Sequence, residues 1–448
     1  MIILGTNSIK ATGFDVANSA RFQNAQLLRT NSGSTSTNID KYTISVWLKR
    51  SKLGVDSNII ADTDGSNNYY QIYFKSDDTI RWQEYLGGSQ SGALITNRKF
   101  RDVGAWYNLI FRYDSSLGTA GDRMRMYVNG VEETSFSTDV NPSQNANGHF
   151  GEASSQKCIA DNNADGREYF GYMCEFMGVD GQSLAPDQFG EFDSDSGIWK
   201  PIDISGITQG VHGFYLKFED SSDLGVATLG SNWTGAGLAA TDQSTDTCTN
   251  NFATWNPLAN FRSNVGFSEG NLNIAMTTSK GGSTSTFGLT TGKWYVEMNI
   301  TTMPTDERFH LGIAPFEIQE ADDPINTGNQ GIGISGFNAV IYADSGSGSA
   351  VLDNFFGNNT TRFDSFTGII GMALDITNGT IAFSKAGAWV TGSGTTDTDF
   401  SNALKVNIST PLARHDVWHI MCGSGNGSGT TGVYSMNFGS PAFAISSG

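Results

Sequence analysis

Positive charge is in short supply. The 448-residue chain carries 27 Lys and Arg against 45 Asp and Glu, a net charge of −18. With no basic surplus to neutralise phosphates, nucleic acid is excluded as a main partner. Long apolar runs are also missing. No stretch approaches the roughly 18 residues of a membrane-spanning helix, so membrane insertion is not expected. Proline is sparse, at 9 residues against 54 glycines, which suits many turns and few stiff linkers. The four cysteines, Cys158, Cys174, Cys248 and Cys422, form no C-x-x-C pair and no zinc spacing. In a chain this large, free buried thiols are expected rather than a disulfide framework. Helical periodicity is nearly absent. Its best stretch is Ala185–Phe192, with Pro186 near the start, which removes coiled coils and βαβ enzymes. Met1–Leu4 is apolar for too few residues to be a secretory core of roughly 7–15, so synthesis in a cytoplasm is expected.

What remains is a β-rich chain. Hydrophobic residues make up 38% and aromatics 11%, too much for disorder. Period-two alternation marks strands at Tyr42–Leu48, Tyr69–Phe74, Thr79–Tyr85, Trp106–Tyr113, Arg123–Val128 and Phe170–Val179, each bounded by turn residues. Asn129-Gly130 and Asn378-Gly379 read as hairpin turns, because both positions accept positive φ. The aromatics Trp47, Trp106, Trp294 and Phe383 sit at alternating strand positions and are expected in cores. The fold class is therefore all-β: two antiparallel β-sandwiches in tandem. The boundaries are an N-terminal arm (1–13), a first sandwich (14–220), an ordered strap (221–264) holding Trp233 and Trp255, and a second sandwich (265–448). The arm reads either as a strand for a neighbour or as the first strand of the first lobe.

Four segments carry a resemblance. They are Tyr42–Ser51 (YTISVWLKRS), Ala105–Asp114 (AWYNLIFRYD), Asp122–Val131 (DRMRMYVNGV) and Phe170–Asp193 (FGYMCEFMGVDGQSLAPDQFGEFD). In this order they resemble a laminin-G-like, concanavalin-type jelly roll. The extension through Gly213–Asp220 (GFYLKFED) and Thr245–Leu258 (TDTCTNNFATWNPL) is similar to jelly-roll proteins of tailed bacteriophages. In the second lobe, Gly292–Ile300 (GKWYVEMNI), His310–Ala314 (HLGIA), Gly368–Gly387 (GIIGMALDITNGTIAFSKAG) and Tyr434–Gly439 (YSMNFG) resemble a SPRY domain. The Gly/Ser/Asn/Asp-rich region Tyr342–Asp364 departs from that pattern as an insertion. Both families are mainly binding modules.

Candidate chemistry is thin. Asp161-Asn162-Asn163-Ala164-Asp165-Gly166 matches the first half of a calcium loop, with Asp161, Asn163 and Asp165 as oxygen ligands and Gly166 at the turn. The second half departs, with Tyr172 where a bidentate Glu belongs. The laminin-G resemblance implies loop Asp ligands, which keeps Asp161 and Asp165 as candidates; Asp62-Thr63-Asp64-Gly65 is a weaker string. The same Asn, Asp and Gly residues are ordinary turn formers. Concanavalin-type folds also host glycosidases, whose retaining members need carboxyls about 5–5.5 Å apart. The nearest string is Glu191-Phe192-Asp193-Ser194-Asp195. His415 and His419 would share one strand face. Asn-x-Ser/Thr strings such as Asn232-Trp233-Thr234 read as inert.

The expectation is a non-enzymatic virion protein of a tailed phage: a tail fibre, spike or head appendage. Its loops would contact host-surface glycan or other virion proteins. The loops named for this are Asp62–Tyr69, Gly148–Arg167, Pro324–Asn338 and Asp344–Asn359. Calcium is the only cofactor the sequence suggests. A homo-oligomer, a trimer by analogy with phage appendages, would suit exposed sheet edges. The competing expectations are a purely structural capsid decoration or tail connector, and a concanavalin-type carbohydrate-active enzyme.

Overall fold

The computed structural model describes the chain except residues 1, 4–12, 35, 37, 65–66, 163–165, 262–264, 277–280, 305–308, 317–330, 337–339, 345–348, 354–362, 364–365, 425–430 and 441–448. The chain divides into two compact units, one formed by 7–251 and the other by 1–6 with 252–448. Both are antiparallel β-sandwiches.

In the 7–251 unit one sheet runs in the order Val131–Glu133, Met124–Val128, Tyr107–Asp114, Lys41–Arg50, Gly171–Asp180, Phe214–Leu216, Leu229–Gly230. The facing sheet runs Phe136–Val140, Ser89–Thr96, Ile80–Leu86, Tyr69–Phe74, Ser57–Thr63, Gln156–Ile159, Gln26–Thr30, Thr234–Ala236. Alternation fills the space between them: Tyr42, Ile44, Val46 and Leu48 meet Ile72, Trp82 and Phe111. Each such side chain contributes about 1.5–3 kcal/mol by leaving water. The hairpin turn at Asn129-Gly130 forms as its sequence requires, with Val128 opposite Val131 and φ of 50° and 75°. At Gly171 two strands crowd together. Its φ is +143°, and a Cβ there would lie 2.1 Å from the Lys49 carbonyl oxygen.

The first sheet is also covered on its outer side. Trp47, Trp106, Tyr172, Cys174, Trp199 and Cys248 form one small cluster. Ile110, Tyr127, Met177, Val179, Phe189 and Tyr215 belong to another. The covering chain is anchored by polar bonds. Thr43 Oγ donates to the Gln182 carbonyl at 2.9 Å and accepts from Leu184 N at 2.8 Å. Trp199 Nε1 donates to Asn108 Oδ1 at 2.9 Å. Further along, Asp246 accepts from Lys49 Nζ at 2.8 Å and from Trp106 Nε1 at 3.0 Å, with Lys49 and Asp246 each 1% exposed.

In the second unit one sheet runs Val265–Ser268, Asn273–Met276, Gly432–Asn437, Lys293–Thr302, Gly368–Asp375, Thr380–Lys385, Ala388–Val390, Thr396–Asp397. The other runs Trp255–Asn260, Gly281–Leu289, Trp418–Ser424, Phe309–Ala314, Ile332–Ser335, Val340–Asp344, Ser349–Asp353. Val296, Met298, Ile370, Met372, Ile420 and Met436 are among the residues that build its core.

Several expectations change. The segment 221–264 is not a strap: Thr234–Ala236 and Gln243–Ser244 pair into the first unit, and Trp255–Asn260 into the second. Its two tryptophans are buried in separate cores, Trp233 in the first and Trp255 in the second. Instead of a helix, Ala185–Phe192 forms one 3-10 turn, Pro186–Gln188, then the short strand Gly190–Phe192, because Phe189 turns in under the outer cluster. Asn378-Gly379 closes a longer loop from Asp375 to Thr380, in which only Gly379 has positive φ. Ile2–Ile3 pairs in parallel with Trp294 and Tyr295 of the second unit, rather than opening the first lobe.

Candidate functional site

The outward face of the sheet containing Tyr69–Phe74 and Ile80–Leu86 carries the half-buried side chains of Tyr69, Arg81, Tyr85 and Arg167 around the nearly covered Gln71, Tyr73 and Gln83. Along these strands Tyr70, Ile72, Phe74, Ile80 and Trp82 point inward, so their neighbours point out. Register sets the outward residues in rows across the strands. Tyr69 lies opposite Tyr85, Gln71 opposite Gln83, and Tyr73 opposite Arg81. The rings of Tyr69 and Tyr85 stack with centroids 4.6 Å apart and planes 10° from parallel. Gln83 Nε2 donates to Gln71 Oε1 at 3.0 Å, and Arg167 donates to the same oxygen at 3.2 Å. The Arg167 guanidinium lies 5.0 Å from the centre of the Tyr73 ring. Arg81 donates to Gln90 Oε1 at 3.1 Å.

Small residues flank the amide row: Ala61 is paired with Gln71, and Ala93 with Gln83. The rim is braced. Asn68 Nδ2 donates to Asp64 Oδ2 at 2.5 Å, Gly87 N to Asn68 Oδ1 at 2.6 Å, and Gly88 N to the Asn67 carbonyl at 2.8 Å. Tyr69, Tyr85, Arg81 and Arg167 are half-buried, fixed in place yet reachable. Burial and the neighbouring Tyr85 push the Tyr69 hydroxyl up to about 12, so it stays protonated as a donor. Half-buried phenol and guanidinium groups suit a hydroxylated ring: aromatic contact for the C–H face, donors and acceptors for the hydroxyls.

Behind this face lies a sealed polar layer. Lys157 Nζ donates to Asp62 Oδ2 at 2.6 Å, Asn31 Oδ1 at 2.9 Å and the Phe150 carbonyl at 2.6 Å. The Tyr42 hydroxyl donates to Glu84, and Trp82 Nε1 donates to Tyr42 at 3.1 Å. Asp62, Glu84 and Lys157 are each fully buried. Burial pushes Glu84 up to about 8 and draws Lys157 down to about 8. These groups tie the sheets together and face no solvent.

The residues named from sequence scatter. Asn163 and Asp165 lie outside the described residues. Asp161 uses its carboxylate to cap its own loop, accepting from Asn162 N at 2.7 Å, while its carbonyl accepts from Asn58 Nδ2 at 2.6 Å. Asp62 is interior and ion-paired to Lys157, so its carboxylate faces no solvent-borne ion; Gly65 of the same string lies outside the described residues. No group of three or more His, Cys, Asp or Glu with metal-holding geometry occurs among the described residues. Glu191 and Asp193 are drawn to Lys200 Nζ at 3.2 and 3.3 Å. His415 lies before the strand Trp418–Ser424 rather than on it. Its ring stands edge-on to Trp418, whereas His419 Nδ1 bonds to the Ser285 carbonyl at 2.8 Å, so the two form no joint site. Of the four loops, Asp62–Tyr69 borders the tyrosine face through Asp64, Asn67 and Asn68, and Gly148–Arg167 through Arg167; residues 65–66 and 163–165 lie outside the described residues. Residues 324–330, 337–338, 345–348 and 354–359 of the other two lie outside the described residues. The face itself was missed. The signal was present as Tyr, Gln and Tyr on alternate positions of Tyr69–Tyr73, but only register shows that Tyr85, Gln83 and Arg81 stand opposite them.

Residues 22–179, which include this face, match the model of the Concanavalin A-like lectin/glucanases superfamily in its laminin-G form. The first sandwich is a laminin-G-like jelly roll. No curated protein matches the chain. Among solved structures, the jelly-roll chain is similar to a heptameric SAP-like pentraxin from Limulus polyphemus (17% identity, 39% of this chain and 82% of that one, TM-score 0.28). It is also similar to domain 4 of AbnA, a GH43 extracellular arabinanase from Geobacillus stearothermophilus in complex with arabinotriose (19%, 41% and 84%, 0.29). A third likeness is to the SPRY domain of human HERC1 (14%, 42% and 99%, 0.29).

Proposed function

We propose that the chain is a non-enzymatic adhesion and structural protein of a tailed-phage virion, and that the jelly roll binds host-surface glycan on its tyrosine face. The observation that carries the glycan reading is the stacked Tyr69–Tyr85 pair beside the Gln71–Gln83–Arg167 cluster. The match to a lectin and glucanase superfamily supports a binding role. The virion setting rests on the phage-like segments Gly213–Asp220 and Thr245–Leu258. The second sandwich is read as a SPRY-like module that contacts other virion proteins, and the assembly as a trimer. Binding on this face needs no cofactor.

A glycan array with the whole chain tests the reading. Tyr69→Ala and Tyr85→Ala should each weaken binding while the melting temperature stays near that of the parent. A blank array together with firm attachment to virions overturns the adhesion reading in favour of a purely structural decoration. Polysaccharide turnover that disappears in Glu191→Gln overturns the non-enzymatic reading.

A further inference from the structure

Two of the four cysteines face each other. Cys174, on the central strand Gly171–Asp180, and Cys248, in the closing turn of the first unit, have sulfurs 3.8 Å apart. Both are free thiols in a cluster lined by Trp47, Trp106 and Tyr172. The other two are elsewhere. Cys158 is on the facing sheet, its sulfur 3.2 Å from Gln26 Oε1, and Cys422 is in the core of the second unit. The turn holding Cys248 is well anchored. Thr247 and Asn250 exchange backbone bonds at 3.2 and 3.1 Å, Val16 N donates to Thr249 Oγ1 at 2.9 Å, and Asn251 Nδ2 donates to the Gly104 carbonyl at 2.8 Å.

We propose that Cys174 and Cys248 are a disulfide-forming pair, a modification site that staples segment 244–251 to the central strand once the protein meets a low-molecular-weight disulfide. Forming the bond closes the sulfur separation from 3.8 Å to about 2.05 Å. Cys248, 8% exposed against 0% for Cys174, reacts first. Its thiolate attacks one sulfur of the small disulfide and expels one small thiolate. The Cys174 thiolate then attacks the Cys248 sulfur of the mixed disulfide and expels the second small thiolate. The protein loses two electrons, the small disulfide gains two, and the two cysteine protons end on the released thiols. Burial, with Cys174 beside it, holds the Cys248 thiol well above its usual range. The thiolate is therefore scarce at neutral pH, and the exchange is slow there and faster in mild alkali.

The consequence is mechanical. Residue 251 ends the first unit and 252 begins the second. Tension applied to the chain beyond 251 would reach the covalent staple before it reached the Lys49–Asp246 ion pair. A protein made in a reducing cytoplasm and released outside it would acquire this lock on release. The inference is independent of the glycan reading.

The test uses the whole reduced chain, incubated folded with oxidised glutathione in mild alkali. Remaining thiols are alkylated in denaturant and the peptides mapped without reductant. The expected result is one cross-linked Cys174–Cys248 species two hydrogens lighter than the separate peptides, with Cys158 and Cys422 alkylated. The first-unit melting temperature should rise by about 10 °C and fall back on reduction. Cys158→Ala should leave the cross-link intact, whereas Cys174→Ala should leave Cys248 carrying glutathione. Full alkylation of Cys174 and Cys248, a stable mixed disulfide on the parent protein, or cross-links through Cys158 or Cys422 would each overturn the proposal. If Cys174→Ala fails to fold, the parent peptide map and Cys158→Ala still decide.

Discussion

Asp246→Ala should unlatch the closing segment of the first unit. In the parent, the Asp246 carboxylate accepts from Lys49 Nζ at 2.8 Å and Trp106 Nε1 at 3.0 Å, and both members of the ion pair are 1% exposed. Alanine removes the charged partner of a buried ammonium, at a cost of about 3–5 kcal/mol, and leaves it the Asn251 Oδ1 acceptor at 2.8 Å. It also removes the indole acceptor, which alone is worth about 1–3 kcal/mol. These do not simply add, because Lys49, whose pKa burial already lowers, can shed its proton and cap the electrostatic part. A net loss of about 3–5 kcal/mol corresponds to a fall of about 10–15 °C in the melting temperature of a unit this size. Differential scanning calorimetry and urea unfolding measure it. Lys49→Met with Asp246→Leu should recover much of the loss, since a matched apolar pair leaves no buried charge. A fall below about 3 °C for Asp246→Ala, or strict additivity of Lys49→Met and Asp246→Ala, would refute the clasp.

Three further outcomes are expected. Each single loss at the Tyr69–Tyr85 stack should weaken glycan binding about 3- to 10-fold or more, read by titration calorimetry with an array hit. Stability of the first unit should fall as pH rises from about 5 to about 8. Burial raises Glu84 from 4.5 to about 8 and Glu175 to about 7, so the folded state holds protons that the unfolded chain has released. That contribution is complete below the unfolded value near 4.5 and is lost as pH climbs through 7–8. Lys157, lowered to about 8, alters the slope only above that value. Denaturation midpoints across this range should flatten in Glu84→Gln. Gly171→Ala should cost about 2–4 kcal/mol, because its Cβ would strike the Lys49 carbonyl at a φ of +143°; an unchanged urea midpoint would contradict this.

Much of the fold was legible because period-two alternation is local. Tyr42, Ile44, Val46 and Leu48 alternate with Thr43, Ser45, Trp47 and Lys49, and the strand Lys41–Arg50 follows. The Asn129-Gly130 turn was legible for the same reason. The calcium-like string was a weaker guide, since Asp and Asn serve turns as readily as ions, and Asp161 caps its own loop. The tyrosine face was not legible, because register joins residues from two strands and a side-chain period of two says nothing about which residue stands opposite.

Sequence alone thus determined an all-β chain of antiparallel sandwiches, with its inward faces and one of its two Asn-Gly turns, because backbone pleat and positive φ are properties of neighbouring residues. Tertiary structure decided what covers the outward faces. Thr43, Ser45 and Lys49, on the same side as Trp47, look like a solvated side of a strand, yet they are buried, because chain more than a hundred residues later returns to lay Leu184, Trp199 and Asp246 across that side. It also split the supposed strap, since Trp233 and Trp255 each gain more by entering a core than by lying between two.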